Sequence, residues 1–149
     1  MSSLGRRRFY NGIVYQNSGN LVYSASLADQ LMTFDKAQIK GNNWDTATNQ
    51  YNVTLNGYYH VAVYCKGTNP NVGTNSEMTL RITKNGTQMC VGFVLVPSGL
   101  AGRDGYVYAC TDMQCQAGDE LQFYLNNRNL SEIRVRAVES AVCVRYLGT

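Results

Sequence analysis

A single histidine in 149 residues, His60, leaves little room for proton-transfer chemistry. It falls mid-strand between Tyr59 and Val61. A Ser-His-Asp or Cys-His arrangement needs a nucleophile within reach and an acid to orient the ring. Nothing in the sequence supplies either, and a lone histidine in a strand is more often a packed or interface residue. Charge is scarce too: the charged fraction is 15%, well below the roughly 25% usual for soluble domains. The ten carboxylates are scattered, and no two are spaced as a general acid and base. A net charge of +3 is too small to argue for nucleic acid as a partner. Five cysteines (Cys65, Cys90, Cys110, Cys115 and Cys143) are an odd number without a tight CxxC knuckle. That argues against a closed disulfide framework and a four-thiolate zinc site. The expectation is five free, buried, small side chains. Phosphate loops and dinucleotide fingerprints are absent, as is any sustained helical period. No run is long enough to cross a bilayer, and the opening SSLGRRRFYNG has no apolar signal-peptide core. No catalytic residue, cofactor or metal is assigned, and an enzyme is the function class least expected.

What is present is tyrosine, at 11 residues, and short alternating segments separated by Gly and Asn. A surface poor in charge and rich in Tyr suggests coverage by another subunit, although a surface of Asn, Gln, Thr and Ser explains the composition as well. The chain is organised around Phe34–Cys65. There Tyr59, Val61, Val63 and Cys65 alternate with Tyr58, His60, Ala62 and Tyr64. Both faces are fairly apolar, which places this strand between two layers, or between one layer and a neighbouring subunit. Met78, Leu80 and Ile82 alternate with Thr79, Arg81 and Thr83, and Asn85-Gly86 then turns a hairpin into CVGFVLV, a run expected to be buried on both sides. FYNGIVY and NLVYS flank QNSG as a second hairpin-like pattern, and Ser26–Met32 fits one helical turn. Gly67–Ser76 and Pro97–Gly105 are loops by composition. Many short strands with such turns predict an all-β sandwich or barrel. Residues 1–8, with Arg6, Arg7 and Arg8, read as a flexible basic N-terminal arm ahead of one domain over 9–149. Asp45, in an Asn-Asn-Trp-Asp loop, is suited to accepting backbone N–H groups in its own turn, and no dense oxygen-ligand loop for calcium surrounds it. Arg134, Arg136 and Arg145 form either a basic patch or solvated strand faces.

The central stretch resembles the globular head of the C1q and tumour-necrosis-factor superfamily. Trp44-Asp45, Thr48, Tyr51 and Gly57-Tyr58-Tyr59-His60-Val61 follow its signature, with Phe34 opening the preceding strand. Lys84-Asn85-Gly86, Ala117-Gly118-Asp119 and the ending Ser140–Gly148 are similar to its hairpin turn, its Gly-Asp and its closing strand. Asn49 and Val53 depart from the usual Gly and Pro. The resemblance covers about the last three quarters of the chain. It implies a jelly-roll β-sandwich of about ten antiparallel strands that forms a compact homotrimer and works by binding. Tyr58, Tyr64 and Tyr124 are then the candidate trimer-interface residues.

Three function classes follow. The first is a virion protein made in a host cytoplasm, a trimer that decorates or cements a viral or phage capsid shell, with Arg6, Arg7 and Arg8 gripping that shell. The second is a receptor- or glycan-binding head of a fibre, reading a surface glycan or receptor through the Gly67–Ser76 and Pro97–Gly105 loops. The third is a secreted C1q/TNF-like ligand, which needs an export route. Membrane insertion is not expected.

Overall fold

Side chains that alternate with a period of two, broken by Gly and Asn turns, produce strands throughout. The computed structural model describes residues 11–15, 20–23, 26–34, 36–37, 43–69, 73, 75–97, 103–127, 133–136 and 140–149. Side chains are described from residue 29 onward, except at 36, 37, 103, 133, 134 and 136. The basic arm lies outside the described residues. In chain order the strands are β1 (Asn11–Tyr15), β2 (Asn20–Tyr23), β3 (Ser26–Leu31), β4 (Lys36–Ala37), β5 (Trp44–Asp45), β6 (Gln50–Asn52) and β7 (Gly57–Asn69). They continue with β8 (Ser76–Lys84), β9 (Thr87–Val96), β10 (Arg103–Cys115), β11 (Glu120–Asn127), β12 (Ile133–Arg136) and β13 (Ala141–Gly148).

They form two antiparallel sheets. One runs β2-β12-β7-β13-β1-β4, with β10 on the other edge of β7; the second runs β5-β6-β11-β8-β9, with β3 also on β11. β7 pairs with β10 along its whole length, from Gly57 opposite Cys115 to Asn69 opposite Arg103. It is the spine of its sheet, as its sequence position at the centre of the chain suggests. The inward row Tyr59, Val61, Val63 and Cys65 meets Met78, Leu80 and Ile82 of β8 and Leu121, Phe123 and Leu125 of β11, all buried. Each large side chain so buried stabilises the fold by about 1.5–3 kcal/mol. Phe34, Trp44 and Phe123 form an aromatic cluster, with Phe34 edge-on to Trp44 at 5.4 Å and Trp44 stacked on Phe123 at 6.1 Å. This gives a physical reason for the Phe34 and Trp44 positions of the central stretch. The Trp44 indole N–H also donates to the Phe34 carbonyl at 3.2 Å, so the loop carrying it is tied to the core.

The two sheets meet where β9 crosses β10. A side chain at Gly92 would overlap the Tyr108 carbonyl oxygen, so only glycine permits this approach. Beside it the Cys90 thiol donates to the Cys110 carbonyl at 3.2 Å. Asn85 and Gly86 take φ of 50° and 77°, the left-handed pair that a two-residue hairpin demands.

Several expectations need correction. Ser26–Leu31 is a strand, not a helical turn, because pairing with β11 supplies its backbone partners. β1 and β2 do not pair with each other: β1 lies between β13 and β4, and β2 lies on β12. β7 runs on through Gly67 to Asn69, so the loop after it is shorter than composition implied. The outward side of β9 is exposed, not buried. All five cysteines are free, but only Cys65 and Cys115 are buried; Cys90 and Cys143 are half-buried and Cys110 is exposed.

Candidate functional site

On β7 the residues opposite the core form the outer face of the sandwich, and register sets their neighbours. Tyr64 lies between Tyr108 of β10 and Ala141 of β13, and Ala62 between Cys110 and Cys143. One step further His60 lies between Asp112 and Arg145, and beyond it Tyr58 lies opposite Gln114 and Gly148. The middle of this face is therefore Tyr, Ala and Cys. Tyr58, Tyr64, Tyr106, Tyr108 and Leu147 are all exposed. Charges frame the patch. At one end the Lys66 ammonium lies 3.0 Å from the Asp104 carboxylate and 5.3 Å from the centre of the Tyr106 ring. The Thr68 hydroxyl donates to the same Asp104 at 2.6 Å. Toward the other end His60 Nδ1 lies 2.6 Å from Asp112 Oδ1.

β9 carries a second apolar surface. Its outward residues Val91, Phe93 and Leu95 are exposed, Phe93 at 75%. Val91 and Phe93 also line a shallow groove of about 290 Å³ with Glu77, Thr79, Arg81 and Gln88. Monomeric domains rarely leave so many neighbouring apolar side chains in water.

The outer side of β8 and β11 is different. There Arg81 Nη1 donates to Asp29 at 2.8 Å, and the Asn126 amide donates to the same carboxylate at 3.2 Å. Tyr124 donates its hydroxyl to Gln122 at 3.1 Å, and the Thr83 hydroxyl donates to the Gln122 carbonyl at 3.3 Å.

Of the candidate interface tyrosines, Tyr58 and Tyr64 thus share one face, and Tyr124 lies on the outer side of the other sheet. Arg6, Arg7 and Arg8 lie outside the described residues, as do the side chains of Arg134 and Arg136. Tyr106 and Tyr108 join Tyr58 and Tyr64, and Val91, Phe93 and Leu95 were missed because a run apolar on both sides reads as doubly buried. The strict alternation of Tyr106, Tyr108 and Cys110 with Val107 and Ala109 was the signal available for β10.

Asp45 accepts the backbone N–H of Ala47 at 2.8 Å and of Thr48 at 3.4 Å. These bonds, that from Ala47 foremost, hold its carboxyl below the usual value. Its oxygens serve the turn, as expected. Among the described residues no three of His, Cys, Asp and Glu gather as metal ligands. Burial pushes the Cys65 thiol up to about 12, which makes it a poor nucleophile. A hydrogen bond with Cys110 raises the Tyr108 hydroxyl, and burial raises the Cys143 thiol.

No protein-family model matches the chain, and no curated protein matches it by sequence. Solved structures do match. The structure of Eiger TNF from S. frugiperda superposes with a TM-score of 0.68 over 94% of this chain and 93% of that one, at 14% sequence identity. The fold is a TNF-like jelly roll.

Proposed function

We propose that the chain is a non-enzymatic binding head that works as a homotrimer. The observation that carries this is the exposure of Tyr58, Tyr64, Tyr106 and Tyr108 on one face, together with the separate exposed apolar row Val91, Phe93 and Leu95. Two different apolar surfaces on one chain suit a head-to-tail contact, in which the β9 edge of one copy covers the β7 face of the next. Contacts of this kind close into rings when the rotation allows. Three copies is the number that the resemblance to the C1q and tumour-necrosis-factor head implies, and the TNF-like fold is consistent with it. Removing such a patch from water is the driving force.

The more specific reading is a virion protein that decorates or cements a larger shell, and it rests on the basic arm. Arg6, Arg7 and Arg8 precede β1, which belongs to the same sheet as the apolar face. They would hold an acidic partner surface while the trimer stays intact.

Native mass spectrometry across a dilution series tests the assembly. A trimer that persists on dilution is expected, and a monomer at every concentration overturns it. Deleting residues 1–8 should then weaken shell binding without changing the native mass. Unchanged shell binding removes the arm's role, and reproducible glycan-array hits with the isolated protein would replace the shell by a receptor or glycan.

A further inference from the structure

Three Asn-Gly pairs occur in the chain, Asn11-Gly12, Asn56-Gly57 and Asn85-Gly86. Such a pair is the most open to attack by its own backbone, because glycine puts no side chain beside the attacking nitrogen. Asn85 and Gly86 form the exposed tip of the β8–β9 hairpin, and a Cβ at Gly86 would meet nothing within 4 Å. The tip is therefore open to water, but the Asn85 amide is bound to the loop before β11. Its Nδ2–H donates to Asp119 Oδ1 at 2.7 Å, and its Oδ1 accepts the Glu120 N–H at 2.9 Å. The Asn85 backbone N–H donates to the Glu120 carbonyl, also at 2.9 Å. That loop is itself anchored: Asp119 Oδ2 accepts the Gln116 N–H at 2.8 Å, and the Val53 N–H donates to the Asp119 carbonyl at 2.9 Å. Both ends of the amide are thus fixed by groups from a distant part of the chain.

We infer that Asn85-Gly86 is a modification site gated by this clamp: Asn85 keeps its amide while the hairpin is docked and loses it by deamidation when the hairpin lifts. In the lifted state the amide rotates freely. The Gly86 nitrogen gives its proton to water and attacks Asn85 Cγ. The N–Cγ bond forms, the Cγ–Nδ2 bond breaks, and ammonia leaves with a proton from solvent. Water then opens the resulting succinimide at either carbonyl, leaving aspartate or isoaspartate at position 85. The product sets a carboxylate where an amide donor faced Asp119. Asp119 stays ionised, its carboxyl held below the usual value by the Gln116 N–H foremost. Two like charges thus replace a hydrogen bond, and the clamp does not re-form. The change permanently marks each chain whose hairpin has opened. Nothing in this depends on the proposed homotrimer.

The experiment incubates the full chain in mildly alkaline buffer, folded and unfolded in urea. Peptide mass spectrometry that resolves Asn, Asp and isoaspartate reads position 85. Asp119→Ala is incubated in the same buffer without urea. Asn56 adjoins the same turn, its oxygen accepting the Ala117 N–H at 2.8 Å, so Asn11, on β1 in the other sheet, is the reference. Asn85 should be lost at least about tenfold more slowly in the folded than in the unfolded chain. Asp119→Ala should speed that loss at least about fivefold while Asn11 keeps its rate. Equal loss of Asn85 in folded and unfolded chain overturns the gate, whether or not the variant folds. An unchanged Asn85 rate in Asp119→Ala overturns the clamp. Equal acceleration at Asn11 overturns it too, by assigning the protection to the fold as a whole. Asn85→Asp should melt below the unaltered chain, and an equal melting temperature overturns the claim that the modification unlocks the hairpin.

Discussion

The two outer sides of the sandwich are built from the same strand chemistry and end up opposite in character. Beside β8 and β11 several outward polar groups pair within the chain: Arg81 meets Asp29, Asn126 meets Asp29, and Tyr124 meets Gln122. Along β7, β10 and β13 the outward residues are mainly Tyr, Ala and Cys, held between charged groups at Lys66–Asp104 and His60–Asp112. The first side mixes these polar pairs with the exposed row Val91, Phe93 and Leu95 of β9 beside them, whereas the second exposes Tyr58, Tyr64, Tyr106 and Tyr108 together. Tyrosine count alone does not separate them, since Tyr124 and Tyr64 are both outward residues on strands; the partners across the sheet do.

The comparison breaks most sharply under charge. Replacing Tyr64 and Tyr108 together by Asp would place two carboxylates in the covered patch, and the trimer should dissociate at least about a thousandfold more easily. Tyr124→Asp, on the outer side of the other sheet, should change assembly by less than about threefold. Circular dichroism and thermal melts must show that each variant still folds. If Tyr124→Asp dissociates the trimer and the double variant does not, the assignment of the two sides is reversed.

Thiol reactivity sharpens the same contrast with a smaller effect. Cys110 is exposed on the apolar face, whereas Cys65 is buried with its thiol pushed up to about 12. In dilute monomer, iodoacetamide should modify Cys110 first and leave Cys65 unreacted until unfolding. At concentrations where the ring forms, Cys110 should react about tenfold more slowly. Mass spectrometry of the peptides reads both. Equal Cys110 rates at low and high concentration would mean that this face stays open to water.

Much of this was legible in the residues. The period of two, the Asn85-Gly86 turn and the Trp44-Asp45 to Val61 signature together point to an antiparallel sandwich, and they do so because each is a local constraint. Which strand lies beside which is another matter: β1 and β2 look like a hairpin, yet each finds its partner more than 100 positions away, in β13 and β12. The candidate site was half legible. Tyr58 and Tyr64 were marked by a strand apolar on both sides, but CVGFVLV has the same property, and sequence cannot say whether a second layer or water lies beyond it. The place of β9 at the end of its sheet and the approach of Gly92 to Tyr108 are tertiary facts that no local pattern encodes.

On the side of β8 and β11, Arg81→Ala should cost about 0.2–1 kcal/mol of unfolding free energy, because it removes a solvent-exposed ion pair with Asp29. Chemical denaturation measures the loss, and no change in stability would show that the pair contributes nothing in water.

The smallest effect expected is in acid, at the turns. Asp119 accepts the Gln116 backbone N–H at 2.8 Å and the Asn85 amide at 2.7 Å, and Asp45 caps its own turn. Both carboxyls are held below their usual value, Asp119 by the Gln116 bond foremost. A carboxyl depressed in the folded state adds stability above its unfolded value of about 4, and that stability disappears as pH falls through the folded value. Both groups are open to solvent, so each contribution is small. Melting temperature should therefore hold from pH 7 to about pH 4 and decline below that, with Asp119→Asn and Asp45→Asn each flattening the decline. If Asp119→Asn leaves the acid limb unchanged, its hydrogen bonds at the Asn85 hairpin persist with the protonated acid, and the acid sensitivity belongs to carboxylates elsewhere in the chain.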